Sequence, residues 1–354
     1  MRFYDPLLYP LAALYSLATG WRNHLFEIGS KKSTSFTVPV IVVGNLSVGG
    51  TGKTPAVEYL IRNLQDRFQL AVISRGYKRK TSGFLLADTT VSPEDIGDEP
   101  FQIFRKFGNR VAVAVGESRA LAITHVLAER PETEIILLDD AFQHRYVKPD
   151  LSILLTTFRK PFFEDRILPL GTLRESRKGA GRADLVVVTK CPSTMTEDKK
   201  EAYRSEISTY AQQGAPVIFA GIRYGAPFRI SGGPSTIGRA VIVVTGIASN
   251  QDFLEEVRKN HEVLEVRDYP DHHRYRASDI KDMVALYSKH IAKQPCLLTT
   301  EKDAVKFNVP QFLPFWTEIP IFALPMEMDL SEADRRMITT MVLDTVKKKN
   351  NPGE

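Results

Sequence analysis

Val38-Pro-Val-Ile-Val-Val-Gly-Asn-Leu-Ser-Val-Gly-Gly-Thr-Gly-Lys-Thr54 opens on an apolar run and closes on a lysine and a threonine behind a glycine-rich turn. The run predicts a buried strand over Val38–Val43, and a helix follows over Pro55–Gln65. Strand, glycine loop and helix in that order are what a Walker A phosphate loop requires. Gly49, Gly50 and Gly52 let backbone N–H groups turn towards one anion, and the helix N-terminus adds its partial positive charge. In this reading Ser47, Val48, Gly49, Gly50, Thr51, Gly52, Lys53 and Thr54 hold the phosphates of ATP. Lys53 reaches the β- and γ-phosphates and the Thr54 hydroxyl ligates Mg²⁺. Ser47 stands where the pattern has its first glycine, a position that shapes the approach to the loop more than its phosphate contacts.

A second stretch fits the first. Ile135-Ile-Leu-Leu-Asp-Asp140 is an apolar strand ending in two carboxylates, the Walker B layout, and Mg²⁺ prefers such hard oxygen ligands. Further apolar runs at Leu70–Ser74, Val111–Val115, Leu151–Leu155 and Leu185–Thr189 alternate with helical patterns at Glu99–Phe107 and Ser118–Ala128. Near-continuous apolar strands joined by helices predict an α/β fold of the P-loop NTPase type, a mostly parallel sheet with helices on both faces. Tyr224–Gly238 is rich in glycine and proline and reads as a linker, after which the alternation resumes at Val241–Val244, Cys296–Thr299 and Ile321–Ala323. The expected organisation is a helical segment over 1–34, a core over 35–225, a linker over 226–239 and a smaller α/β lobe over 240–354.

Residues 6–21 carry no charge, and sixteen such residues fall short of the roughly 20 that span a bilayer. Asp5 and Pro6 suit the start of a helix, with Leu7, Leu11, Leu14 and Ala18 on one face. Tyr9, Tyr15 and Trp21 are placed for headgroup level, and Arg22, Lys31 and Lys32 follow. That pattern predicts a membrane-interface helix on an anionic surface, with a core helix docked on its own domain and a cleaved signal peptide as the competing readings. A net charge of +5 is diluted by 42 interspersed acidic residues, which argues against nucleic acid as a partner, and no obligate protein partner is inferred. The two cysteines, Cys191 and Cys296, lack metal-ligand spacing and read as buried thiols.

A P-loop by itself does not separate kinases from GTPases or ATPase switches. A membrane-surface ATPase of the partitioning type is the rival reading, but Val48 stands where those proteins carry a second lysine. Val188-Thr-Lys-Cys191 approaches a guanine-reading motif and fails at Cys191, where an aspartate is needed. Across almost the whole chain the sequence resembles the tetraacyldisaccharide 4′-kinase family of lipid A biosynthesis. The elements that carry this are GNLSVGGTGKTP at 44–55, SRGYKR at 74–79, GDEP at 97–100, DDAFQH at 139–144, LPLGTLRES at 168–176, RADLVVVTK at 182–190, VTGIA at 244–248, PDHH at 270–273 and TTEKDAVK at 299–306. Ala141, Leu170 and Thr172 depart from the residues usual at their places.

The resemblance implies ATP-dependent phosphorylation of the 4′-hydroxyl of a lipid disaccharide 1-phosphate at the cytoplasmic face of the inner membrane, by a peripheral or monotopic enzyme. It also implies that Asp98 and His272 form a carboxylate–imidazole dyad. A sugar hydroxyl is a poor nucleophile at neutral pH and gains from a base. Either Asp98 is that base with His272 orienting it, or the roles are reversed. Glu99 joins Thr54, Asp139 and Asp140 as a candidate Mg²⁺ ligand, and Gln143 and His144 are expected beside the γ-phosphate. Arg75, Arg119, Arg174 and Arg177 are candidate clamps for ATP or the substrate phosphate, because guanidinium forks match phosphate oxygens. Thr299–Asp303 reads as a capping box, with a hinge or nucleotide-proximal role as the alternative.

Overall fold

A computed structural model of the chain describes residues 5–232 and 236–351. Arg2, Met1–Tyr4 as a whole, and Gly233 and Pro234 of the turn-rich stretch lie outside the described residues. Strands β1 (Val40–Asn45), β2 (Leu70–Ser74), β3 (Leu85–Leu86), β4 (Val111–Val115), β5 (Ile135–Asp139), β6 (Leu151–Thr157), β7 (Leu185–Thr189) and β8 (Val217–Phe219) form one sheet. Its order is β3-β4-β2-β5-β1-β6-β7-β8, and only the β3–β4 pair is antiparallel.

The apolar runs are continuous because both faces of this sheet are covered. Successive side chains of a strand point to opposite faces, so Ile41 and Val43 enter one core and Val40 and Val42 the other. On the first face the helix Lys53–Leu64 buries Val57, Leu60, Ile61 and Leu64. On the second, the helix Arg119–Glu129 buries Ala122, Ile123 and Val126. The sheet places β1 at its centre between β5 and β6, so the loops leaving β1 and β5 meet at one edge, where doubly wound sheets bind ligands.

Strands β9 (Gly221–Tyr224), β10 (Phe228–Ser231), β11 (Ala240–Thr245), β12 (Glu262–Asp268), β13 (Cys296–Thr300), β14 (Ile321–Leu324) and β15 (Met326–Asp329) complete the fold. A second, five-stranded sheet has the order β10-β14-β13-β11-β12, parallel except for β10–β14. β9 and β15 pair antiparallel as the two chain crossings between the lobes.

Two sequence-based boundaries need correction here. The stretch read as a linker, 226–239, contains β10, an edge strand of the second sheet; its glycines and prolines flank a strand that pairs antiparallel to β14. The lobe assigned to 240–354 also gives up its end. From β15 onwards the chain returns to the first sheet, where Met328 of that strand and then Leu330, Ile338, Val342 and Val346 join the same core as Ile41. The helix Glu332–Asn350 therefore caps the P-loop core rather than its own neighbours in sequence.

The N-terminal helix runs Asp5–Glu27, longer than the uncharged stretch. The side chains of residues 5–7, Leu7 among them, lie outside the described residues. Leu11, Leu14 and Ala18 are exposed as expected, together with Tyr9, Leu17 and Trp21. Tyr15 and Arg22 differ from expectation: both turn inward. The Tyr15 hydroxyl donates to the Arg174 carbonyl at 2.9 Å, and Arg22 donates to the Gln143 carbonyl. Ala12 and Phe26 are buried, and Asn23 donates to Glu175 at 2.7 Å, so the helix docks by one side and leaves the other uncovered. Among the described residues no helix is long and apolar enough to cross a membrane.

Candidate active site

The edge of the first sheet faces the second lobe across a cleft of about 960 Å³. The glycine loop forms one wall. Gly49 and Gly52 have φ of +113° and +83°, backbone that a side chain would strain. Two hydrogen bonds fasten the turn from beneath: Asn45 Nδ2 donates to Thr51 Oγ1 at 2.7 Å, and Thr189 Oγ1 to the Thr51 carbonyl at 2.8 Å. Ser47 is not on the cleft wall; it bridges antiparallel to Leu173, while the Val48 N–H donates to the Thr172 carbonyl at 2.8 Å. The missing glycine is thereby accounted for: this part of the loop is an edge pairing that any residue can make.

Lys53 lies 3.7 Å from Asp140, which also accepts from Arg174 at 3.0 Å. Burial would raise the Asp140 carboxyl, but Lys53, Arg174 and Arg119 outweigh it and hold it below the usual range. Asp139 is the opposite case. It is 2% exposed, and burial, with the charges of Glu99 and Asp140 beside it, pushes its carboxyl up to about 7. Its Oδ1 has no hydrogen-bond donor. Lys53 and Arg119 only partly offset the rise, and a buried carboxylate oxygen without a donor is what a bound cation would relieve. Glu99 is not free in the same way, since Lys302 pairs with it at 3.1 Å. No three His, Cys, Asp or Glu side chains among the described residues converge to hold an ion alone. Mg²⁺ is commonly held by one or two carboxylates together with phosphates and water.

The DDAFQH segment is locked against β1. A Cβ added to Gly44 would fall 2.7 Å from Phe142 Cβ and 2.9 Å from its backbone nitrogen. Gly44→Ala should therefore push the segment outwards and destabilise the chain by about 1–3 kcal/mol, the usual range for overpacking. Chemical denaturation of the variant checks this; an unchanged midpoint would mean the contact is softer than it looks. Asp140 itself has φ of +48°, and the segment's turn continues through Gln143 and His144. Gln143 Nε2 donates to the Asn45 carbonyl at 2.8 Å and to Glu175 at 3.0 Å. His144 accepts the Arg119 backbone N–H at 3.2 Å; burial, with Arg119, Arg22 and Arg75 nearby, lowers it to about 4, so the ring is neutral.

Arg75, Arg119 and Arg174 line the cleft, as do Gln143 and His144. Arg119 is largely buried, and that burial lowers it to about 10 against the partly compensating charges of Asp140 and Asp139. Arg177 does not reach the cleft. It donates to the Asp165 carbonyl at 2.8 and 3.0 Å and packs over Tyr210, a structural tie that removes it from the expected phosphate clamp.

Asp98 begins the helix Asp98–Phe107 with Gly97 (φ +94°) as its cap, so Asp98 is not needed for capping. His272 Nδ1 lies 3.4 Å from Asp98 Oδ2, and Lys306 Nζ 3.5 Å from the same oxygen. Burial would raise the Asp98 carboxyl; His272, Lys306 and Lys302 together hold it below the usual range, ionised at neutral pH. His272 sits in the left-handed region (φ +58°) with the Tyr77 ring edge-on at 5.0 Å. Such backbone in a non-glycine residue costs energy and marks functional positions. The adjacent His273 is turned away, bonded to Asp279 at 2.9 Å and stacked on Tyr269.

Residue-level reading of the sequence missed Tyr77, Lys302 and Lys306. Lys302 lies in TTEKDAVK, where Thr300 does cap the helix Glu301–Phe307 by accepting the Asp303 N–H at 3.1 Å. The capping account of that motif is correct for Thr300 and left its lysines unassigned. Tyr77 lies in SRGYKR, a stretch quoted only for its likeness.

Comparison with known proteins identifies the family. The family model for tetraacyldisaccharide-1-P 4′-kinase matches residues 4–345. The chain belongs to the tetraacyldisaccharide 4′-kinase family. The tetraacyldisaccharide 4′-kinase of Flavobacterium psychrophilum is 43% identical over 312 residues, covering 87% of this chain and 89% of that one. That of Bacteroides thetaiotaomicron is 38% identical over 356 residues, covering 96% and 93%. A crystal structure of LpxK from Aquifex aeolicus in complex with ATP has a TM-score of 0.74 at 29% identity, covering 97% of this chain and 100% of that one. The chain is thus a 4′-kinase of lipid A biosynthesis acting on a lipid disaccharide, and the partitioning-type ATPase reading is set aside.

Proposed function

We propose that this tetraacyldisaccharide 4′-kinase transfers the γ-phosphoryl group of ATP with Asp98 as base and His272 as its orienting partner. The 4′-hydroxyl oxygen bonds to the γ-phosphorus, the bond from that phosphorus to the β–γ bridging oxygen breaks, and ADP leaves. The hydroxyl proton passes to Asp98. Lys53 and the N–H groups of Gly49–Lys53 hold the transferred charge, where a preorganised cation has its largest effect. Thr54 and Asp139 are the residues that fit Mg²⁺, with Asp140 and Glu99 around them; when bound, the ion neutralises phosphate charge. The observation that supports this reading is that Lys53, Thr54, Asp140 and His272 line one cleft, with Asp98 3.4 Å from the His272 ring and Asp139, whose Oδ1 has no donor, next to Asp140 in the chain. Its test is phosphate gain on a detergent-dispersed disaccharide 1-phosphate lipid, followed by mass spectrometry with ATP and Mg²⁺. Hydrolysis of ATP with unmodified lipid would overturn it.

The same proposal puts the protein on the cytoplasmic face of the inner membrane, peripheral or monotopic. Leu14, Leu17 and Trp21 are 63%, 70% and 65% exposed on a helix whose other side lines the cleft through Tyr15, Thr19 and Arg22. An acylated substrate remains in the bilayer, and this helix would bring the cleft to it. Leu14→Glu with Leu17→Glu is expected to abolish flotation with anionic vesicles while leaving turnover of detergent-dispersed lipid little changed. Unaltered flotation would reject the membrane role. Neither nucleic acid nor an obligate protein partner is needed in this scheme.

A further inference from the structure

We infer that Lys302 is a positioning residue that fixes the tautomer of His272, holding the ring as Nδ1–H towards Asp98; this rests on the dyad proposed above.

A lysine ammonium has three protons and no lone pair. Lys302 Nζ has three polar neighbours at bonding distance: Glu99 Oε1 at 3.1 Å, Asp271 Oδ1 at 3.2 Å and His272 Nε2 at 3.1 Å. Two are carboxylate oxygens, which accept. The third must accept as well, because an Nε2–H at 3.1 Å would set a proton against an ammonium. Nε2 therefore carries the lone pair, and the ring's one proton is on Nδ1. The other carboxylate near Nε2, Asp271 Oδ2, is at 3.8 Å and too distant to hold an Nε2–H in its place.

The placement of Nδ1 gives the inference its consequence. Nδ1 is buried, has no closer partner, and lies 3.4 Å from Asp98 Oδ2, a long contact of the kind that tightens when substrate binds. Lys306 approaches that same oxygen. Both donors thus engage Oδ2, and Oδ1 is left to receive the proton of a substrate hydroxyl. Lys302 and His272 both lie on the second lobe and Asp98 on the first, so the Nδ1–H finds its acceptor only where the two lobes meet. In the opposite tautomer, Nδ1 would present a lone pair to a carboxylate and the dyad would be repulsive.

The test is long-range ¹H–¹⁵N correlation NMR on the full-length protein labelled with ¹⁵N-histidine, with the His272→Gln spectrum assigning the ring. The wild type is expected to show a protonated Nδ1 and an unprotonated Nε2. In Lys302→Met the ring should shift towards Nε2–H, with kcat down about tenfold or more and KM for ATP little changed. A locked wrong tautomer costs about 10⁴-fold in a hydrolase triad, and Met leaves both forms open, so the loss should be smaller. Lys302→Arg should recover the wild-type tautomer and part of the rate. A protonated Nε2 in the wild type, or an unchanged tautomer in Lys302→Met, overturns the inference; the wild-type spectrum alone decides if the Met variant fails to fold. Retained turnover in Asp98→Ala would instead remove the base assignment and leave the tautomer result standing.

Discussion

Asp98→Ala is expected to lower kcat by about 10²–10⁴-fold, the range that a positioned general base contributes, with KM for ATP nearly unchanged. The expectation of a kinetic rather than a folding effect comes from the local structure. Asp98 occupies the first helical position, but Gly97 already makes the turn and the helix Asp98–Phe107 buries Pro100, Ile103 and Phe107 without it. The carboxylate's own contacts are His272 and Lys306, and both have other partners: Lys302 holds His272, and Asp303 holds Lys306 at 2.8 Å. Asp98→Asn is the sharper companion, since it keeps the shape and loses the basicity. Steady-state kinetics on dispersed lipid, with circular dichroism to follow folding, reads both. Near-normal turnover in Asp98→Asn would mean that the base lies elsewhere, and His272 would then be the group to examine.

How much of this was legible beforehand differs between the two lobes for a physical reason. β1, β2, β4, β5 and β7 are buried on both faces, so each wrote itself as an apolar run whose ends fell within about two residues of those observed. The phosphate loop was equally clear, because its glycines and Lys53 act through positions adjacent in sequence. Long-range pairings left no such trace. β10 hides among glycines and prolines because an edge strand needs few apolar residues, and the return of the helix Glu332–Asn350 to the first sheet depends on a crossover at β15. The site divides in the same way. Asp98 and His272 were reached through likeness to a family, not through spacing, since 174 positions separate residues 98 and 272. Arg177 looked like Arg174 in sequence, yet three residues on, the chain has turned it into a tie to Asp165. Lys302 and Lys306 carried no visible signal, because their meaning is the charge of what faces them across the cleft.

Lys53→Ala should cost about 10²–10³-fold in turnover, the loss typical of removing one preorganised donor at a developing anion, and should weaken ATP binding. The contacts around Lys53 bear on whether this variant folds. Lys53 is paired with Asp140, and its removal takes one partner from a half-buried carboxylate. Asp140 retains Arg174 at 3.0 Å on Nη1 and the field of Arg119, which together keep it ionised and satisfied. The loop, for its part, is held by Asn45 and Thr189 through Thr51, not by the lysine. Thermal melting should therefore change little in the absence of nucleotide. The stabilisation that ATP adds to the wild type by mass action should be largely lost in the variant. Melting curves with and without ATP and Mg²⁺ separate the two effects. A large drop in the nucleotide-free midpoint would show that the Lys53–Asp140 pair is structural, and a preserved ATP-dependent shift would place the phosphates away from Lys53.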